Sequence, residues 1–142
     1  MFAGIVEHQL DDKKRLRIPS KFRKGLVGEN GDKTYCFFRG KNKCICVMEE
    51  EKMWDMFESL KDEDFTESNK ITRAIFSSVA VAEEDAQGRV VIPVNLRLMA
   101  GIQKDVVTLG VGNRLEIWSA ERYAQYMEED FDYDEALEKL RL

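Results

Sequence analysis

The sequence predicts an α+β fold built from two similar half-units on one chain. Three observations predict it. A nine-residue stretch occurs twice, as Asp11-Asp12-Lys13-Lys14-Arg15-Leu16-Arg17-Ile18-Pro19 and as Asp85-Ala86-Gln87-Gly88-Arg89-Val90-Val91-Ile92-Pro93. The copies lie 74 residues apart, and the same offset relates Arg23 to Arg97 and Phe2 to Phe76. Around each copy the order of elements recurs: strand, turn, strand, short helix, hairpin, helix. Finally, 44% apolar and 35% charged residues over 142 positions suit a chain that buries a core, not a disordered one.

In the first half-unit, residues 2–10 read as a strand, with Ile5, Val6 and Leu10 and few breakers. Asp11 then opens a turn, because its carboxylate bonds backbone amides two residues on. Leu16 to Ile18 is a short β run, which Pro19 ends. Ser20 is placed to cap a short helix over 21–26. After a glycine-rich loop at 28–32, Tyr35 to Phe38 and Cys44 to Met48 form a hairpin connected by 39–43. Met53, Met56, Phe57 and Leu60 then fall at helical spacing as one apolar stripe, behind Glu49, Glu50 and Glu51 at the positive end of the helix dipole.

Lys61 to Thr66 is a polar connector. Ile71, Ala74 and Ile75 predict a helix leading to Phe76, and Val79 and Val81 a strand that runs to the second turn. There Gly88 supplies the positive φ of a tight turn. Val90 to Ile92 and Pro93 repeat the first copy, Asn95 is placed to cap the next helix, and Gly101 suits the position past its end. Val106 to Leu109 and Arg114 to Trp118 make a second hairpin around Gly110-Val111-Gly112-Asn113. Ser119 caps a helix with Tyr123, Tyr126 and Met127 on one face, and Ala136, Leu137 and Leu140 suggest a short terminal helix. The chain thus divides into a first half-unit over 1–61, a second over 62–130 and an acidic tail over 131–142.

The net charge of −5 hides a split: residues 1–48 carry +6 and the remainder −11, with −5 of that in 121–142. Asymmetry of this size points to a polyanion partner for one end, or to a basic face that meets acidic neighbours in an oligomer. No apolar run approaches the ~20 residues of a membrane helix, and the N-terminus lacks a signal-peptide pattern. These features predict a cytoplasmic protein. Three cysteines, Cys36, Cys44 and Cys46, are an odd count that argues against a disulfide framework. Cys44 and Cys46 face one side of a strand, but with no CxxC pair and His8 as the sole histidine they read as buried apolar groups rather than metal ligands. No nucleophile motif or paired-carboxylate pattern predicts an enzyme, and nothing predicts a cofactor.

DNA binding needs cations at phosphate spacing and a few groups that reach base edges. Lys13, Lys14, Arg15 and Arg17 cluster on and beside the first turn, and Arg15 and Arg17 share a strand face. Arginine's planar fork suits both phosphate and guanine. In the second copy Arg89 follows Ala86, Gln87 and Gly88 and adds little charge alone. Each turn also has a local reading, an Asp–Arg pair that stiffens the chain and is worth only ~0–1 kcal/mol when exposed.

The Met-Phe-x-Gly start, the two D-x-x-x-R turns and both Ile-Pro pairs resemble the MraZ family of the AbrB/SpoVT superfamily, over nearly the whole chain. The resemblance implies two pseudo-symmetric half-units in one β-rich core, of double-split β-α-β type, with peripheral helices. It implies a cytoplasmic, nucleoid-associated transcription regulator that binds repeated boxes of double-stranded DNA in the promoter of the division and cell-wall gene cluster. It also implies a ring-shaped homo-oligomer in the octamer or dodecamer range. The family's DNA contacts map onto Asp11 with Arg15 and Asp85 with Arg89, and Lys13, Lys14 and Arg17 add charge beside them. Lys14 stands where the family often has glycine. The rival reading is an assembly protein whose Asp–Arg turns staple subunits together. An AbrB-like antitoxin is disfavoured, because both half-units are present here with no separate toxin-binding tail evident.

Overall fold

The computed structural model describes residues 1–26, 34–58 and 69–142. Among the described residues, eight strands form two antiparallel sheets. They are β1 (Phe2–Gln9), β2 (Arg15–Arg17), β3 (Thr34–Arg39), β4 (Ile45–Glu49), β5 (Ala80–Glu83), β6 (Arg89–Val91), β7 (Asp105–Gly112) and β8 (Leu115–Ser119). The large sheet has the order β1-β7-β8-β4-β3-β5, and β2 pairs with β6 in a small one. Among the described residues six α-helices lie around them: α1 (Ser20–Arg23), α2 (Glu50–Glu58), α3 (Asn69–Ser78), α4 (Val94–Met99), α5 (Ala120–Met127) and α6 (Tyr133–Glu138).

The half-units interlock. The first strand of each runs along the hairpin of the other, so β1 pairs with β7 and β5 with β3. The register is symmetric about two residue pairs, Leu16 opposite Val90 and Cys46 opposite Glu116. A pseudo-twofold axis therefore passes through both sheets. Neither half can complete its sheet alone, which makes the chain one cooperative core.

Side-chain alternation sets the layers. Tyr35 and Phe37 of β3, Ile45 and Val47 of β4, and Leu115 and Ile117 of β8 point into one core. Leu16, Ile18, Phe22, Val90, Ile92 and Leu96 close that core from β2, β6, α1 and α4. On the opposite side, Cys36, Phe38, Cys46, Met48 and Trp118 form a second core with Met53, Met56 and Phe57 of α2. Burial on both faces is why β4 and β8 read as almost continuous apolar runs. Leu60, the last member of the α2 stripe, and the connector at 61–66 lie outside the described residues.

Three local expectations are corrected. Ser20 and Asn95 do not cap their helices; Pro19 and Pro93 hold the cap positions, both at φ −53° and ψ 136°, and no side-chain bond caps either helix. Their carbonyls accept from Phe22 N and Arg97 N, each at 2.9 Å, so the proline itself turns the chain into the helix. Gly110, Val111 and Gly112 are not a hairpin loop. They extend β7 along β1, because a Cβ at Gly110 would lie only 2.5 Å from the Ala3 nitrogen; the glycine marks a close approach of two backbones. Phe2 and Phe76 share the 74-residue offset but not a structural place, since Phe2 is in β1 and Phe76 in α3. The cap at Ser119 is as expected: its hydroxyl accepts from Arg122 N at 3.3 Å.

Candidate nucleic-acid interface

Both D-x-x-x-R segments fold into the same turn. Asp11 Oδ1 accepts from Lys13 N at 2.9 Å and from Arg15 N at 2.8 Å, and Oδ2 accepts from Arg15 Nε at 2.7 Å. Asp85 takes Gln87 N, Arg89 N and Arg89 Nε, each at 2.9 Å. The backbone amides of Lys14 and Gly88 close the turns onto the Asp11 and Asp85 carbonyls at 3.0 Å. The bonds from the Arg15 and Arg89 amides, helped by the arginine side chains, hold both carboxyls below the usual carboxylate range. Each aspartate is therefore a fixed anion that presets one arginine.

The turn needs a left-handed residue just before the arginine. Gly88 supplies it at φ +77°, and Lys14 adopts it at φ +61°. Lysine accepts this strained conformation with its ammonium bonded to the Gln103 carbonyl at 2.8 Å. The first turn thus keeps the shape of the second and adds a charge.

The turns feed the two-stranded sheet, in which Arg15 faces Val91 and Arg17 faces Arg89. Leu16 and Val90 fill the inner face and are fully buried. The outer face therefore carries Arg15, Arg17, Arg89 and Val91 together, with Lys13 exposed beside it. All seven residues picked from the sequence, Asp11, Lys13, Lys14, Arg15, Arg17, Asp85 and Arg89, lie on these turns and this sheet. The two copies differ in what their arginines have left to offer. Arg15 is held through Nε, and its Nη1 and Nη2 have no hydrogen-bond partner among the described residues. Arg89 also donates Nη2 to Gln87 Oε1 at 2.7 Å and brings Nη1 to 3.9 Å from Asp11 Oδ2.

Sequence reasoning missed two polar groupings. Glu84, beside the second turn, bridges Arg23 of the other half-unit and the Tyr35 hydroxyl; Arg23 Nη2 donates to Oε2 at 2.7 Å. The signal was in the repeat, since the offset places Leu10 opposite Glu84 and marks the change. Cys44, Cys46 and Glu116 also converge, with donor atoms all within 4.8 Å of one another. Glu116 is committed: it accepts from Arg114 Nη2 at 2.8 Å and from Trp118 Nε1 at 3.1 Å. A hydrogen bond with Cys46, together with burial, pushes the Cys44 thiol upward, and burial takes Cys36 up to about 12. The three cysteines are free and buried, as the reading of these residues as buried small groups expects.

Interlocked half-units that bring two Asp–Arg turns to one small cationic sheet define a class of internally duplicated α+β proteins. Comparison with known proteins specifies the class. The family model described as "MraZ protein, putative antitoxin-like" matches residues 1–74 and again 75–141. The chain is 39% identical to "Transcriptional regulator MraZ" of Clostridium botulinum (strain Alaska E43 / Type E3), over 99% of this chain and 96% of the relative. It is 40% identical to the protein of that name from Syntrophomonas wolfei, over 99% and 96% of the two chains. With the one from Symbiobacterium thermophilum the figures are 41%, 96% and 98%. This chain belongs to the MraZ family, a family of transcriptional regulators and not of enzymes.

Proposed function

We propose that this chain is a DNA-binding transcriptional regulator that grips repeated promoter boxes of the bacterial division and cell-wall gene cluster through its basic corner, as a ring-shaped homo-oligomer in the cytoplasm, on the nucleoid. One observation carries the reading. The outer face of β2 and β6 is cationic, it is backed by a sealed apolar face, and both terminal nitrogens of its leading arginine are without a hydrogen-bond partner among the described residues. That is the fork geometry that engages a phosphate or a guanine edge bidentately. Arg15, with Lys13, Lys14 and Arg17, supplies most of the affinity. Asp11 and Asp85 aim the arginines from within the same contact turns. One chain offers few cations, so repetition around a ring supplies the rest through effective concentration. The half-units divide near residue 61, and 131–142 is a separate acidic tail. The name borne by the relatives and the absence of any helix long and apolar enough to cross a membrane, among the described residues, agree with this reading.

The commitment of Arg89 to Gln87 and Asp11 favours a different part for the second turn, a staple between half-units or subunits. A gel-shift assay on DNA upstream of the protein's own operon, with scrambled DNA as control, tests both. Arg15→Ala should lose the shift and keep the oligomer in size-exclusion chromatography. An unchanged shift would reject the interface; loss of the oligomer would transfer the staple role to the first turn.

A further inference from the structure

The duplication has diverged on one surface. Val91, Val94 and Leu98 stand, by the 74-residue offset, where the first half-unit has Arg17, Ser20 and Lys24. In the second half they form an exposed apolar strip, at 58, 60 and 67% exposure, along β6 and one face of α4. Val91 lies directly opposite Arg15, so the strip is bordered by the cationic corner. An exposed apolar strip rimmed by polar groups is the kind of surface that marks a contact with another protein.

The same chain carries a match for it. The segment after α5 alternates acids with large apolar groups, Glu129-Asp130-Phe131-Asp132-Tyr133-Asp134. Phe131 and Tyr133 are 61 and 63% exposed, and α6 buries none of its residues. Asp132 caps α6 by accepting from Glu135 N at 2.9 Å, so the segment is preformed rather than waiting to fold. Two exposed surfaces, one apolar and bordered by basic groups, the other apolar and acidic, thus sit on one molecule.

We propose that the acidic, aromatic segment 128–142 of one copy docks on the Val91–Val94–Leu98 strip of the next, with its carboxylates toward the Arg15 corner. The contact joins two different patches, so it is heterologous, and repetition of it closes a ring or runs on as a filament. The inference rests on the self-assembly part of the proposed function and is independent of the DNA contacts.

The test is the mass of the full chain in solution without DNA, by size-exclusion chromatography with light scattering. Val94→Asp/Leu98→Glu removes the strip; both residues suit an exposed helix, and circular dichroism checks the fold. Phe131→Ser/Tyr133→Ser removes the plug. Each variant alone should fall to the 16.5 kDa of one chain. An equimolar mixture should rise to about twice that mass and no further, because one intact strip then meets one intact plug. Wild-type mass in either variant would overturn the docking pair while leaving assembly itself in place. Variants that dissociate but do not complement each other would also overturn it, in favour of a patch that meets its own copy. A wild-type chain that is itself monomeric would remove both this inference and the assembly reading.

Discussion

Lys14→Gly separates the two jobs of the first turn, its backbone shape and its charge. Lys14 sits at φ +61°, a region that costs a non-glycine residue ~1–2 kcal/mol. Glycine removes that cost but gives back ~0.5–1 kcal/mol of unfolded-chain entropy. The substitution also deletes the bond from Lys14 Nζ to the Gln103 carbonyl, at 2.8 Å and exposed. A net hydrogen bond contributes ~0.5–1.5 kcal/mol, with an exposed flexible lysine at the low end. These effects offset one another, so urea denaturation should give a stability within ~1 kcal/mol of wild type. DNA binding should nevertheless weaken. The slope of log affinity against log salt should become shallower by ~0.9, the value for one phosphate no longer neutralised. Lys14→Val keeps the strained backbone and adds a branch at Cβ, and should cost distinctly more stability than glycine does. A destabilisation above ~2 kcal/mol in Lys14→Gly would refute the reasoning, because the side chain and not the backbone would then be holding the turn.

Other outcomes follow from the same structure. Glu84→Ala strands Arg23 and the Tyr35 hydroxyl; with the carboxylate 4% exposed and Arg23 33% exposed, the cost should be ~2 kcal/mol, below the ~3–5 of a fully buried pair. An unshifted urea midpoint would show that the bridge contributes nothing. Gly40→Ala should cost ~1–3 kcal/mol, since its Cβ would meet Cys46 Sγ at 2.6 Å and Cys44 Sγ at 2.7 Å, and Cys46→Ala should restore part of it; no rescue would mean the strain lies elsewhere. On acidification two groups act in sequence. Burial lowers the His8 pKa below 6.5, so the unfolded chain takes up that proton first and stability declines as pH falls from about there. The turn carboxyls lie below 3.8, so their contribution is complete above that value and fades only as pH falls through the depressed range. NMR signals of Arg15 and Arg89 Nε should therefore persist at pH 4, and their disappearance at or above it would contradict the assignment.

Local patterning carried much of this fold. The repeat announced two half-units, and alternation placed β3, β4 and β8. What stayed hidden depends on contacts between residues far apart in sequence. Nothing in β1 says that it pairs with β7 rather than with its own half-unit, so the glycines at 110 and 112 read as a loop when both belong to β7, Gly110 at a close approach of the strands. Ser20 and Asn95 looked like caps because the residue type is right, but Pro19 and Pro93 had already set the helix entry. At the interface, the aspartate–arginine spacing was enough to identify the turns. The joint outer face was not legible, because it arises only when β2 meets β6 across 74 residues. The difference between Arg15 and Arg89 was legible only in outline, from the thinner charge around the second arginine.

The central claim is that cationic side chains on this small sheet hold DNA phosphates. It is tested most directly by the salt dependence of affinity for the chain's own operator DNA, compared between wild type and Arg15→Ala/Arg17→Ala. Wild type should give a steep line, and the variant a slope shallower by ~1.8 per binding unit, at unchanged oligomeric mass. Two superimposable lines would contradict the claim.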